Sequence, residues 1–340
     1  MTNSQLDQAI EKLKQGDVVA IPTETVYGLA ARIDSKAGIQ KIFSTKQRPF
    51  FDPLIVHVSS KDMAAKLTTD WSPLADFLAE HFWPGPLTLI LPKADAVDSM
   101  ITSGLSSVGI RMPKHSLALS LIEKSGVPLA APSANRFGRT SPTTADHVKS
   151  EFPNEGLLVL DGGPCEVGLE STVLLIRRFD ERYELSILRS GKVTQGELEK
   201  TLQNQKFQIS FVAITDKKES PGQMKHHYMP EIPLVYVKNP ALTETQVREK
   251  VKQMLFKLPD QVEGVQIRKP KNLDRAGELK LPDQAVLASR QFYAELRRMA
   301  ESQNYDFLYF RRQALHDKED WNALKDRLTK AASLILEGRT

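Results

Sequence analysis

Residues 18–29 read VVAIPTETVYGL, and the fold is decided here. Val18, Val19, Ala20 and Ile21 form a short apolar strand, which Pro22 halts. Thr23, Glu24 and Thr25 follow directly, where an open α/β sheet places its ligand-binding loops. Taken alone, the segment equally fits a capped helix start with a threonine or glutamate at the N-cap. Upstream, Leu6, Ile10 and Leu13 recur at helical spacing and Gly16 follows as a stop signal. Downstream, helical patterns alternate with short apolar runs to about residue 205. The clearest runs are Leu54–Val58, Leu87–Leu91, Leu157–Leu160, Thr172–Ile176 and Leu185–Leu188. Short runs cut by Pro/Gly turns predict an α/β sheet of mixed strand direction rather than a simple βαβ repeat.

The rhythm changes after residue 212. Residues 213–233, AITDKKESPGQMKHHYMPEIP, show little periodicity and read as an interdomain linker. Beyond it the sequence predicts strands at Leu234–Val237, Val262–Ile267, Ala285–Ala288 and Phe307–Phe310. Helices are predicted over Glu244–Phe256, Arg290–Glu301 and Trp321–Leu336. That is a smaller parallel α/β domain, Rossmann-like in its alternation. The expected organisation is 1–212, a linker over 213–233, and 234–340.

The chain has 340 residues, 41% hydrophobic and 26% charged, enough for buried cores. Its single cysteine, Cys165, excludes an internal disulfide framework and any multi-cysteine zinc site. No apolar run reaches the ~18 residues of a membrane helix, and the polar opening MTNSQLDQAIEK has no secretory pattern; the expectation is a cytoplasmic protein with no membrane partner. Residues 1–211 hold 23 Lys+Arg against 24 Asp+Glu, a net of −1, and residues 212–340 hold 23 against 18, a net of +5. The surplus fits a solvated face, or weak contact with an RNA backbone.

The standard nucleotide fingerprints, GxxxxGK[ST] and GxGxxG after a strand, are absent, as are HExxH and GxSxG. Several segments could still carry chemistry. Lys46 and Arg48 end a helix whose apolar face includes Ile39, Ile42 and Phe43; they suit either the helix dipole or a two-cation phosphate clamp. His57 shares its strand parity with Ile55, and a lone strand histidine is more often a core residue than a catalyst. Arg111 ends the apolar strand that begins near Ser107. It can pair with a buried carboxylate of the protein or with a substrate carboxylate. Small residues from Ala131 through Ser133 to Ser141 allow close approach to backbone amides. Gly168–Val173, with Ser171, and Leu188–Gly191, with Arg189, complete the set. Together they suit an anionic, polyphosphate-like ligand beside a small zwitterion.

In order, PTETVYGL (22–29), KQRPFFDPLIVHV (46–58), FWPGPLTLIL (82–91), VGIRMPKH (108–115), PLAAPSANRFGRTSPTT (128–144), DGGPCEVGLESTV (161–173) and ILRSG (187–191) resemble the YrdC-type threonylcarbamoyl-AMP synthases. The match covers roughly residues 5–205. SPGQMKHHYMP and the C-terminal domain look like the longer, two-domain form. The resemblance implies a twisted open mixed α/β sheet with a deep basic cavity. It implies a nucleotidyltransferase that converts L-threonine, bicarbonate or CO2, and ATP into threonylcarbamoyl-adenylate and pyrophosphate. A separate transferase then modifies tRNA next to the anticodon. Carried over by motif, Thr25, His57, Arg111, the backbone at Ala131, and Ser171 face threonine. Arg48, Asp52, Ser107, Ser133, Ser141, Arg189 and Tyr228 face ATP. Lys46 and Arg48 are the expected catalytic cations. Mg²⁺ is expected on the phosphates without a protein-built site, Asp52 being a candidate ligand. The linker is the expected lid. Two departures stand out: Asp52 replaces the family's usual asparagine, and Gln223 and Met224 vary from the commoner SPGM form.

A non-catalytic module for double-stranded RNA or tRNA is the alternative function. A hydrogenase-maturation carbamoyltransferase is excluded by the lack of zinc-finger cysteines, and a dinucleotide oxidoreductase is disfavoured by the lack of GxGxxG.

Overall fold

The computed structural model describes residues 3–213, 226–259, 261–262, 265–266, 269–270 and 272–337. These fall into two compact units, one drawn from 1–136 and 142–223 and the other from 137–141 and 224–340. Residues 214–225, which include Gln223, Met224 and much of the expected linker, lie outside the described residues. No described helix is long and apolar enough to cross a membrane.

The first unit is built on ten strands: β1 (Val19–Ile21), β2 (Gly28–Arg32), β3 (Ile55–His57), β4 (Leu87–Pro92), β5 (Ser107–Arg111), β6 (Leu129–Ala130), β7 (Leu158–Val159), β8 (Thr172–Phe179), β9 (Arg182–Arg189) and β10 (Gln208–Phe211). They form one mixed sheet in the order β10-β9-β8-β4-β5-β3-β6-β2-β1-β7. β3 runs parallel to β5 and β4 parallel to β8, whereas β4 and β5 are antiparallel.

Strand alternation explains how both faces are covered. Val19, Ile21 and Ala30 pack against Leu6, Ala9 and Leu13 of the helix Asn3–Lys14 and against Leu121 and Ile122 of the helix Ser116–Ser125. Their neighbours Ala20, Leu29 and Ala31 join the larger core, with Ile39, Ile42 and Phe43 of the helix Lys36–Lys46 and Leu74 and Leu78 of the helix Pro73–Phe82. Serine side chains at Ser35, Ser60 and Ser72 cap three of the crossover helices. Each accepts a backbone N–H that the first turn leaves unpaired.

The second unit has a four-stranded parallel sheet, with β11 (Leu234–Val237), β14 (Ala276–Glu278), β15 (Phe307–Arg311) and β16 (Leu334–Leu336) in the order β14-β15-β11-β16. β12 (Gln261–Val262) and β13 (Val265–Gln266) pair separately and antiparallel, where the sequence predicts one strand over 262–267. Ala285–Ala288, expected as a strand, is the first turn of the helix Ala285–Glu301. The buried positions Ala285, Ala288, Phe292, Leu296 and Met299 continue one helical stripe, and a four-residue apolar run cannot reveal its period alone. The final helix is also shorter than expected. It spans Asn322–Ala331, and Leu334–Leu336 leaves it to pair in parallel with β11.

Phe137–Ser141 packs within this second unit. Arg139 bridges Met229 as a parallel β-pair, and the Met229 N–H donates to the Gly138 carbonyl at 2.8 Å. The Thr140 hydroxyl donates to the Tyr228 carbonyl, and the Arg297 guanidinium to the Thr140 carbonyl. Phe137 meets the His227 ring edge-on.

Candidate active site

The turn after β1 is closed by Thr23. Its hydroxyl accepts the N–H groups of Thr25 and Val26 and donates to the Val26 carbonyl. No helix starts here, and β2 begins at Gly28. The turn presents Glu24 and Thr25, both buried, to Arg111 at the end of β5. Arg111 Nη1 donates to Thr25 Oγ1 at 3.0 Å, Nε to the Gly85 carbonyl at 3.2 Å, and Nη2 meets Glu24 Oε1 at 2.7 Å. Of the two partners open to a strand-end arginine, the protein's own carboxylate is therefore present.

His57 ends β3 in register with Arg111. Burial foremost, and the neighbouring Arg111 charge second, push the imidazole down to about 3. It is therefore neutral at ordinary pH, and its Nδ1 has no hydrogen-bond partner among the described residues. Beside it, the Ala131 N–H donates to the Ile55 carbonyl at 3.0 Å, and Ser133 bridges Gly28. A Cβ at Gly28 would come within 3.2 Å of Ala131 Cβ, so glycine permits this approach.

Lys46 does not serve the dipole of its own helix. Its buried amine donates to the carbonyls of Ser133 and Asn135, 87 and 89 residues away in sequence. Burial holds it well below the ordinary lysine value, with the Arg48 charge adding in the same direction. Both carbonyl bonds survive in the neutral amine, which still has two N–H donors. Gln47 takes the left-handed conformation and ends the helix. Arg48 then turns forward to the carbonyls of Asp52 and Pro53 at 3.1 and 2.8 Å, and Nη2 meets the Asp52 carboxylate at 2.9 Å.

On the far side of β4, Ser171 Oγ lies 2.8 Å from Thr88 Oγ1 and accepts from Arg189 Nη2 at 3.0 Å. Arg189 Nε donates to the Ser171 carbonyl. Gly191 makes this packing feasible, since a Cβ there would meet Thr172 N at 2.2 Å. Ser107 stands at the opposite end of β5 from Arg111, about 13 Å away at ~3.3 Å per residue. Ser141 and Tyr228 belong to the second unit. Tyr228 is buried there, with Tyr293 at 5.8 Å and the Arg327 guanidinium over its ring at 5.3 Å.

Among the described residues the first unit thus buries four basic side chains, Lys46, Arg48, Arg111 and Arg189, against three acids, Glu24, Asp52 and Glu170. Among the described residues Arg189 has only oxygen dipoles as partners and no ion-paired carboxylate, whereas Lys46, held toward its neutral form by burial, has two carbonyls as hydrogen-bond partners and the Glu151 and Asp52 charges acting on it. Buried charge without a counter-ion is costly, and an anionic ligand would relieve it. No cluster of three His, Cys, Asp or Glu suits a metal ion among the described residues, and the Asp52 carboxylate is taken by Arg48.

Glu24 is the residue that sequence reasoning missed. Its signal was an acid between two threonines at a strand end, which reads locally as a cap.

Two family models match the chain. The Sua5/YciO/YrdC model, described as "Telomere recombination", covers residues 11–191. The model described as "Threonylcarbamoyl-AMP synthase, C-terminal domain" covers residues 193–333. The chain is 35% identical over 288 residues to a threonylcarbamoyl-AMP synthase of Pyrococcus abyssi, covering 84% of this chain and 83% of the relative. It is 32% identical to the Schizosaccharomyces pombe protein of the same name, covering 99% and 90%. The solved structure of P. abyssi Sua5 complexed with L-threonine superimposes with a TM-score of 0.79 at 32% identity, covering 99% of this chain and 97% of that one. Matched over both its parts, the chain belongs to the threonylcarbamoyl-AMP synthase family in its two-domain Sua5 form.

Proposed function

We propose that the protein condenses L-threonine, bicarbonate or CO2, and MgATP into L-threonylcarbamoyl-adenylate and pyrophosphate. The observation that carries this reading is the full-length likeness to a structure holding L-threonine, in a chain whose matching motifs bury four basic side chains. In the first step the threonine amine attacks the carbon of CO2, losing a proton, and an N-carboxylate forms. One oxygen of that carboxylate attacks the α-phosphorus, the bond from the α-phosphorus to the bridging oxygen breaks, and pyrophosphate leaves. Starting from bicarbonate, one water is also released.

No side-chain nucleophile is needed; positioning and charge neutralisation are. Arg111 receives the threonine carboxylate through its planar fork, with Thr25, the backbone at Ala131, and Ser171 beside it. His57, neutral beside Arg111, offers a hydrogen bond without adding a like charge. Lys46, Arg48 and Arg189 take the phosphates, with Ser107 and Ser133 as further ATP contacts of the first unit. Mg²⁺ enters with ATP as part of the substrate and lowers the charge of the phosphates. The adenylate would then be supplied to a separate transferase that modifies tRNA, a role that the motif resemblance implies. The alternative of an RNA-binding module is disfavoured because these cations are buried rather than displayed.

The test is incubation with MgATP, L-threonine and bicarbonate, reading pyrophosphate and the adenylate by mass. Release is expected only when all three are present. Equal release without threonine or without bicarbonate refutes the assignment.

A further inference from the structure

One buried acid of the first unit has no part in the chemistry above. Glu24 is 3% exposed. Its Oε1 meets Arg111 Nη2 at 2.7 Å, and its Oε2 accepts the Lys114 N–H at 3.0 Å. Its own carbonyl accepts the Val167 N–H at 2.8 Å. One residue thereby ties together the turn that carries Thr25, the strand end that carries Arg111, and the loop that leads to Ser171.

We propose that Glu24 is a positioning residue that fixes the Arg111 guanidinium as a carboxylate receptor. The inference rests on the reading of Arg111 as the partner of the threonine carboxylate. A guanidinium has five N–H donors. Two are hydrogen-bonded, Nε to Gly85 and Nη1 to Thr25, while Nη2 is held 2.7 Å from the Glu24 carboxylate as an ion pair without hydrogen-bond alignment. At least one donor is left on each terminal nitrogen, enough for a carboxylate in a bidentate pair. Of the three acceptors only Glu24 is charged. The Gly85 carbonyl and the Thr25 hydroxyl give direction, but they cannot offset a buried cation. A glutamine at this position keeps the shape. Its amide has one acceptor oxygen for two donors, and its NH2 group repels whichever N–H it faces. The guanidinium would then lose the one charged contact that holds it toward the turn.

The experiment uses the full chain, with 15N-labelled arginine, and Glu24→Gln beside the unmodified protein. Arg111→Lys identifies the Arg111 signal. In the ligand-free protein the Arg111 Nε–H resonance is expected to exchange slowly with water; fast exchange there overturns the proposal without recourse to any variant. Glu24→Gln is expected to broaden or abolish that resonance and to weaken threonine binding at least ten-fold by calorimetry. ATP binding should stay within two-fold. Unchanged threonine affinity overturns the proposal. So does equal weakening of both ligands together with a lowered melting temperature, which marks Glu24 as a plain core ion pair. If the unmodified protein binds no threonine, the proposed function fails; the change of the Arg111 resonance between ligand-free unmodified protein and ligand-free Glu24→Gln still decides whether Glu24 holds the guanidinium.

Discussion

Arg48 and Asp52 face each other across a loop, guanidinium to carboxylate at 2.9 Å, with both side chains buried. The i,i+4 spacing is that of a helical pair, but the helix has already ended at Lys46. The pair neutralises one of the cations expected to meet phosphate. Asp52→Asn should therefore tighten ATP binding several-fold while lowering stability by about 1–3 kcal/mol, because Arg48 keeps a hydrogen-bond acceptor but loses its counter-ion. Calorimetry and denaturant melts read the two effects. An unchanged Mg²⁺ requirement is also expected, since Arg48 already occupies the carboxylate.

Arg111→Ala leaves the Glu24 carboxylate buried without its cation. A destabilisation of about 3–5 kcal/mol is expected, beyond the loss of threonine binding. Arg111→Lys keeps the charge but not the fork, so the fold should survive and threonine affinity should fall by about 2–4 kcal/mol. Wild-type threonine affinity in the lysine variant would show that the guanidinium shape is not read.

His57 makes stability depend on pH. Its folded value lies at about 3, against ~6.5 in the unfolded chain. Between these values the unfolded state binds the extra proton, so stability falls as pH falls from 6.5 towards 3. The slope is at most ~1.4 kcal/mol per pH unit, and it disappears outside that window. Denaturation at pH 7 and pH 5 should show the stability difference between the unmodified protein and His57→Gln shrinking by ~2 kcal/mol. A difference independent of pH would mean that the buried ring carries a charge.

Lys46 predicts a proton linked to ATP. Burial disfavours its ammonium form, whereas a polyphosphate favours it. Its pKa should rise on ATP binding, and protons should be taken up at pH values between the free and bound values. Heats of ATP binding in buffers of different ionisation enthalpy measure the uptake, and Lys46→Met should remove it.

Much of the sheet was legible because its strands are apolar runs bounded by proline and glycine, as at Val18–Pro22 and Leu87–Leu91. Mixed strand direction was legible from the irregular spacing. The second unit misled where an apolar run was brief. Ala285–Ala288 shows its helical period only when Phe292 and Leu296 are added, and Leu334–Leu336 becomes a strand by pairing with β11. At the site, Arg111 declared itself by ending a strand. Its partner Glu24 did not, because a contact spanning 87 positions leaves no local trace. Likewise Lys46 looked like a dipole partner until the fold brought two distant carbonyls to its amine. Ser141 sits in the same motif as Ser133, yet the two fall in different units. No pattern of residue types announces that.

That last division has a consequence for how the chain can be taken apart. The backbone passes from the first unit to the second at 136/137, returns at 141/142, and leaves again further on. A single cut between residues 213 and 226 therefore does not produce two self-contained pieces. The N-terminal fragment still carries Phe137–Ser141, whose hydrogen-bond partners Tyr228, Met229 and Arg297 lie on the other fragment. Two such fragments would behave as a split protein, the first supplying Phe137–Ser141 to the unit built by the second. Expressed alone, the first would present an unsatisfied loop in the middle of its own sequence.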